Sequence, residues 1–228
     1  MRFYGSILKR GWKNKGSGKV MHISEGILSG PILISGAAIA AGGTAIGLAQ
    51  LDYDRIAQAG ILSAAFFVAS MVHVPIGPTN AHLILNGIIG LLLGWAAFPI
   101  ILTALLLQAI LFQFGGITTL GINCLIMALP AVMVHYPFRG LILKSKTICR
   151  LSAFLSGFLA VLFGVILLAA ALIFAEKNFF ETAFLVALIH LPIMIIEGII
   201  NIFCIDFIKK VHPALLPGFD RQETALFK

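Results

Sequence analysis

Charge is scarce in this sequence. Asp, Glu, Lys and Arg make up 11% of its 228 residues, against about 25% in a typical soluble domain. Hydrophobic residues make up 60% and mean hydropathy is +1.04. That balance excludes an ordinary soluble domain and points to an integral membrane protein. Cysteine is sparse too. Cys124, Cys149 and Cys204 stand far apart, in or beside apolar segments, with no CxxC pair. This spacing implies no redox site and leaves inert packing residues. HExxH, GxSxG and GxxxxGK[ST] are all missing. The first absence argues against a zinc-dependent intramembrane protease, and the last means that any ATP-driven step belongs to another subunit. No catalytic residue and no resident cofactor are assigned, and an enzyme is not expected.

What the chain has is long apolar runs. They are continuous rather than alternating, so they predict helices and not barrel strands. Seven candidate spans cover roughly residues 27–50, 56–74, 83–98, 100–113, 116–135, 151–175 and 181–207. The fold class expected is all-α, a polytopic transmembrane helical bundle of about seven spans. Residues 83–113 could form one span, but about thirty residues at 1.5 Å each exceed the bilayer. Pro99, behind Gly94 and Trp95, suggests a break and two short helices joined by a tight turn.

The net charge of +7 is concentrated at one end: Arg2, Lys9, Arg10, Lys13, Lys15 and Lys19 supply six positive charges. From Met21 onward ten basic residues face nine acidic ones, so nothing there suggests nucleic-acid binding. The loop with Arg139, Lys144, Lys146 and Arg150 and the tail with Lys209, Lys210, Arg221 and Lys228 are expected in the cytoplasm. That orientation predicts a multi-pass cell-membrane protein with a cytoplasmic C-terminus. Seven spans then leave the basic first nineteen residues outside, against the same rule; six would place them inside.

Polar residues inside lipid are costly and are therefore functional candidates. In "SMVHVPIGPTNAHLILNG", His73 and His82 flank a Pro/Gly/Asn loop. In residues 105–130, Gln108, Gln113, Thr118, Thr119 and Asn123 should face protein or a cavity. In "HLPIMIIEG", His190 and Glu197 lie about two helical turns apart on one face. For each histidine and for Glu197 a purely structural hydrogen bond is the competing role.

These blocks resemble the cobalt/nickel substrate-binding membrane subunit of energy-coupling-factor transporters, the CbiM/NikM family. "MHISEG" at Met21 is similar to the family's opening. "HVPIGPTNAHLILNGIIGLLLG", "FQFGGITTLGINCLIMALPA" and "HLPIMIIEG" follow in order, so the resemblance runs from Met21 to about residue 210. It implies a Co(II) uptake component for cobalamin synthesis, with Ni(II) as the alternative cargo. It implies metal ligands at Met21 (the free amine), His22 and His82. His73, Gln113, Thr118, Asn123 and Glu197 would support them or pack nearby. With the Met21 amine, the deprotonated His22 amide, the His22 ring and the His82 ring, four nitrogens in a plane suit Ni(II), Cu(II) and low-spin Co(II), whereas Zn(II) prefers a tetrahedron and fits poorly.

The family pattern also implies partners: a transmembrane coupling subunit, two ATPase subunits and, in some systems, a small accessory membrane subunit, besides membrane lipid. Small residues Gly36, Ala37, Ala38, Ala40, Ala41 and Gly42 are candidate partner contacts. Residues 1–20 depart from the pattern, because they would turn the Met21 amine into an amide. The expected division is a basic extension over 1–20 arising from a misplaced start, a transmembrane metal-binding domain over 21–210 and a cytoplasmic tail over 211–228. A proton-coupled carrier built on Glu197 and His190, or a structural subunit without ligand, are the competing readings.

Overall fold

The computed structural model describes residues 23, 26, 28–76, 79–175 and 180–219. Residues 1–22, including Met21 and His22, and the tail from 220 on lie outside the described residues. The expectations for the basic extension fall there.

Among the described residues, seven α-helices follow the apolar runs: α1 (Gly30–Ala49), α2 (Ile56–Met71), α3 (Asn86–Leu93), α4 (Ala97–Phe112), α5 (Leu120–Phe138), α6 (Lys146–Ala175) and α7 (Phe180–Val211). Between α2 and α3 lies a two-stranded antiparallel ribbon, β1 (His73–Ile76) and β2 (Thr79–His82). Among the described residues, five stretches are long and apolar enough to cross a membrane; they lie within α1, the run Asn86–Phe112, α5, α6 and α7. The expected count of seven spans therefore needs refinement. α2 is a 16-residue helix, and α3 is an eight-residue helix, about 12 Å long at 1.5 Å per residue. The rest of that descent is non-helical backbone from β2 to Leu85, the kind of irregular chain that is tolerated at membrane depth only when buried in protein.

The tight turn inside 83–113 is present but sits elsewhere. Its break falls at the 3₁₀ turn Gly94–Ala96 and not at Pro99. Gly94 adopts φ +55, open to glycine without a Cβ penalty, whereas Pro99 is accommodated in the first turn of α4, where its missing N–H would have no helical partner. The contacts along α5 show the reversal. Asn86 Nδ2 donates to the Met127 carbonyl at 3.1 Å and His135 Nδ1 donates to that of Gly90 at 2.9 Å, so α3 runs beside α5 in the same direction. Trp95 Nε1 then donates to Tyr136 Oη at 2.8 Å, and Cys124 Sγ lies 3.7 Å from the Phe98 carbonyl, so α4 returns. Every residue from Asn86 to Leu92 is buried. This hairpin is the centre of the bundle, and its all-round apolar character follows from that position.

The outer helices pack on it through small residues. α1 buries Gly36, Ala40, Gly43 and Gly47. A Cβ on Gly43 would stand 2.6 Å from the Phe98 ring, and one on Gly36 2.9 Å from Ile122. Gly36 and Ala40 are thus internal contacts, not partner contacts as expected, while Ala37, Ala38, Ala41 and Gly42 remain exposed. α6 and α7 form a long antiparallel pair of 30 and 32 residues. Gly157 meets the Glu197 backbone and Gly198 the Phe154 ring. At the far end of this pair Arg150 bridges Asp206 at 2.7 Å, and Lys209 Nζ donates to the Ile142 carbonyl at 2.9 Å. The basic residues of the α5–α6 connection and of the α7 terminus therefore share one end of the molecule.

Candidate metal centre

The opposite end holds the residues that the sequence singles out. His82 closes β2, paired in register with His73 across the ribbon. Its ring is buried, with 2% exposure. His82 Nδ1 lies 2.9 Å from the Leu83 carbonyl. A carbonyl can only accept, so Nδ1 carries the proton and Nε2 keeps the lone pair, the arrangement in which a neutral imidazole ligates a metal. The side chain of His73 lies outside the described residues.

Two side chains grip the backbone beside the expected ligands. Glu197 of α7 accepts from the backbone N–H of Ile84, and from that of Leu85 at 2.9 Å to Oε1 and 3.1 Å to Oε2. Leu85 sits at φ +55, ψ 15, a left-handed conformation that costs a non-glycine residue about 1–3 kcal/mol. The carboxyl group holds that bend, which lies two to three residues after His82 and directly before α3. Glu197 is fully buried, and its oxygens are engaged in this structural task.

Asn123 of α5 makes the second grip. Its Oδ1 accepts from Ile23 N–H at 2.9 Å and its Nδ2 donates to the Ile23 carbonyl at 3.2 Å. The same Nδ2 donates to Thr119 Oγ1 at 3.3 Å, and Thr119 donates to the Gly116 carbonyl at 3.2 Å. Ile23, the residue after His22, is therefore paired on both backbone atoms by one side chain. It is 3% exposed, and it packs with Leu28, Ile122, Ile126, Leu168 and Val186.

The two gripped segments converge. Ile84 lines a narrow internal cavity together with Asn86, Ile126, Met127 and Leu168. Ile126 and Leu168 also belong to the buried apolar cluster that contains Ile23. Val186, in the same cluster, accepts a hydrogen bond from His190 Nδ1 at 2.6 Å, which places a second buried imidazole at this end. Among the described residues no three His, Cys, Asp or Glu side chains could hold an ion.

Not every expected residue reaches this place. Gln113 caps α4 in the left-handed conformation, φ 55, and is exposed. Thr118 is exposed, whereas its neighbour Thr119 is the buried one that touches Asn123. Gln108 donates to Ser70 Oγ at 2.6 Å and joins α4 to α2. Thr119 stood in the sequence among the costly polar residues, and the signal that would have singled it out is its i, i+4 spacing to Asn123.

Comparison with known proteins bears on this geometry. Residues 22–215 match the family described as "CbiM: Cobalt uptake substrate-specific transmembrane region". A protein of Haemophilus influenzae named "Putative metal transport protein" is 40% identical over 203 residues, 86% of this chain and 97% of its own. The "Fused nickel transport protein NikMN" of Rhodobacter capsulatus is 42% identical over 120 residues, 50% of this chain and 35% of that longer one. A solved structure described as a transition metal transporter superposes with a TM-score of 0.71 at 28% identity, over 83% of this chain and 93% of the other.

Proposed function

The chain belongs to the CbiM family, and from that premise we propose that it is the substrate-specific membrane component of a Co(II) uptake system. Ni(II) is the alternative cargo, since the same nitrogen donors suit both ions. The observation that carries this reading is the pair of backbone grips. Asn123 fixes the residue after His22, and Glu197 fixes the two residues that follow Leu83, beyond His82. Ile126 and Leu168 share a buried cluster with Ile23 and line a cavity with Ile84. Such an arrangement would bring His22 and His82 together from opposite ends of the first ninety residues. In the proposed centre the Met21 amine and His22 form one chelate and His82 Nε2 supplies the remote nitrogen. Neutral imidazole is the ligand form, so binding weakens as acid protonates it.

Energy comes from partner chains on this reading, a membrane coupling subunit and two ATPases, with the basic end and the C-terminus in the cytoplasm. The proton-coupled alternative loses support, because Glu197 is occupied in holding Ile84 and Leu85. The test compares a chain starting at Met21 with one kept intact as 1–228, each N-terminus verified by mass spectrometry, under titration with Co(II) and Ni(II). Tight binding is expected only for the Met21 form, since an internal Met21 nitrogen is a non-basic amide. Equal tight binding by the intact form would remove the amine from the ligand set.

A further inference from the structure

At the basic end, where α6 begins beside the last turns of α7, an open hollow of about 590 Å³ is lined by Lys146, Thr147, Arg150, Leu151, Phe154 and Ile202. The five α6 residues recur at helical spacing. Lys146, Arg150 and Phe154 stand four apart, and Thr147, Leu151 and Phe154 four and then three apart, so they share one face. The chemistry changes along that face. An ammonium, a hydroxyl and a guanidinium come first, and Leu151 and Phe154 follow. Lys146 to Phe154 is about 12 Å of helix axis at 1.5 Å per residue. Ile202, one turn inward from Asp206 on the antiparallel α7, continues the apolar part.

This gradient follows the edge of a bilayer. The stretch of α6 long and apolar enough to cross a membrane begins at Lys146. The cations therefore stand at headgroup level, and Leu151 and Phe154 where hydrocarbon starts. The charges are not all spent within the protein. Asp206 Oδ2 accepts from Arg150 Nε at 2.8 Å and pairs with Nη2 at 2.7 Å. A guanidinium has five N–H donors, so three remain. Lys146 is exposed and forms no ion pair among the described residues. Two cations against one carboxylate leave the hollow net positive. A free inorganic anion would meet the cations and leave the apolar part unused. A lipid without net charge would cover the apolar part and leave the excess positive charge unbalanced. A ligand with an anionic phosphate and an acyl chain satisfies both.

We propose that this hollow binds an anionic phospholipid of the surrounding membrane. The phosphate accepts from Lys146 Nζ, from the Thr147 hydroxyl and from the remaining Arg150 donors. One acyl chain lies over Leu151, Phe154 and Ile202. Basic pockets between membrane helices are a general setting for anionic headgroups, and this one ties the start of α6 to α7 beside the Arg150–Asp206 pair. The inference needs the membrane but no cargo, so it stands or falls apart from the uptake reading.

The test uses the full-length chain, stripped of lipid in detergent. Phosphatidylglycerol or phosphatidylcholine is added back, and bound lipid is counted by native mass spectrometry. The wild type should retain phosphatidylglycerol in preference to phosphatidylcholine. Lys146→Gln should weaken that retention about tenfold or more, as for the loss of a hydrogen bond to a charged group. Lys144→Gln removes the same charge from an exposed neighbour outside the hollow and should weaken it clearly less. Leu151→Gln keeps both cations and should also weaken it, because the acyl chain loses its contact. Thermal melts should rise with phosphatidylglycerol in the wild type and less in Lys146→Gln, each read against its own melt in phosphatidylcholine. No preference for phosphatidylglycerol in the wild type overturns the proposal. Equal losses in Lys146→Gln and Lys144→Gln overturn it in favour of unspecific attraction to a basic surface. Undiminished retention in Leu151→Gln, or displacement of the lipid by millimolar inorganic phosphate, overturns it in favour of a simple anion site.

Discussion

The two ends of this bundle hold their chains by different means. At the His82 end, short buried side chains bind backbone: Asn123 clasps Ile23, and Glu197 clasps Ile84 and Leu85. At the basic end, longer side chains reach across a wetter surface: Arg150 pairs with Asp206, Lys209 reaches the Ile142 carbonyl and Arg55 that of Leu92. A buried short side chain has few rotamers and no competing water, so it positions its partner closely. An exposed long one is screened by water and salt and loses side-chain entropy when ordered. The comparison teaches that geometry is specified where the cargo is proposed to bind, and that the other end is anchored without being finely aimed.

The contrast is tested most severely at His82 itself. His82→Ala should abolish tight Co(II) and Ni(II) binding, whereas His212→Ala at the basic end should leave it intact, both read by titration. Stoichiometric tight binding in the His82 variant would sink the assignment of the site.

Glu197→Ala should be nearly as severe and should also destabilise the fold. It strips the acceptor from the buried Ile84 N–H and the part-buried Leu85 N–H, at about 1–3 kcal/mol for a buried unsatisfied group, and frees the bend at Leu85. A detergent-solubilised thermal melt should drop together with metal affinity. A lowered melt with unchanged affinity would separate the bend from the site.

Asn123→Ala removes a grip on the residue after His22 without touching the proposed ligands. Metal affinity should fall about 10–100-fold, the usual range for groups that orient ligands. Asn123→Asp keeps the acceptor for the Ile23 N–H and should recover part of the loss. Unchanged affinity in Asn123→Ala would make this residue a helix-packing contact.

The smallest effect belongs to Asp206→Asn. Arg150 and Asp206 are 47% and 32% exposed, and exposed pairs contribute about 0–1 kcal/mol. Metal affinity should not move and the melt should shift slightly. An effect on binding as large as that of Asn123→Ala would erase the distinction between the ends.

Much of the fold was legible in the sequence, because hydropathy and helix length are properties of a chain taken locally. The apolar runs became α1 to α7, and the shift of the break from Pro99 to Gly94 has a local cause in their different backbone freedoms. The site was legible in part. Asn123 and Glu197 were marked as costly polar residues in lipid, but so were Gln113 and Thr118, which lie on the exposed side. Polarity alone does not say which way a side chain faces at the end of a helix.

By itself the sequence determined the solvent, the helical class and the ordered motifs, since burying so apolar a chain in water has no soluble solution and lipid permits only helices or closed barrels. The tertiary structure alone decided which polar groups meet. Asn123 and Ile23 are 100 residues apart, and Glu197 and Ile84 are 113. Hydropathy assigns each residue a preference one at a time, whereas a clasp is a relation between two residues. It exists only once α3 has folded down beside α5, and α7 has packed against α6, at the close approaches that Gly90 and Gly157 allow.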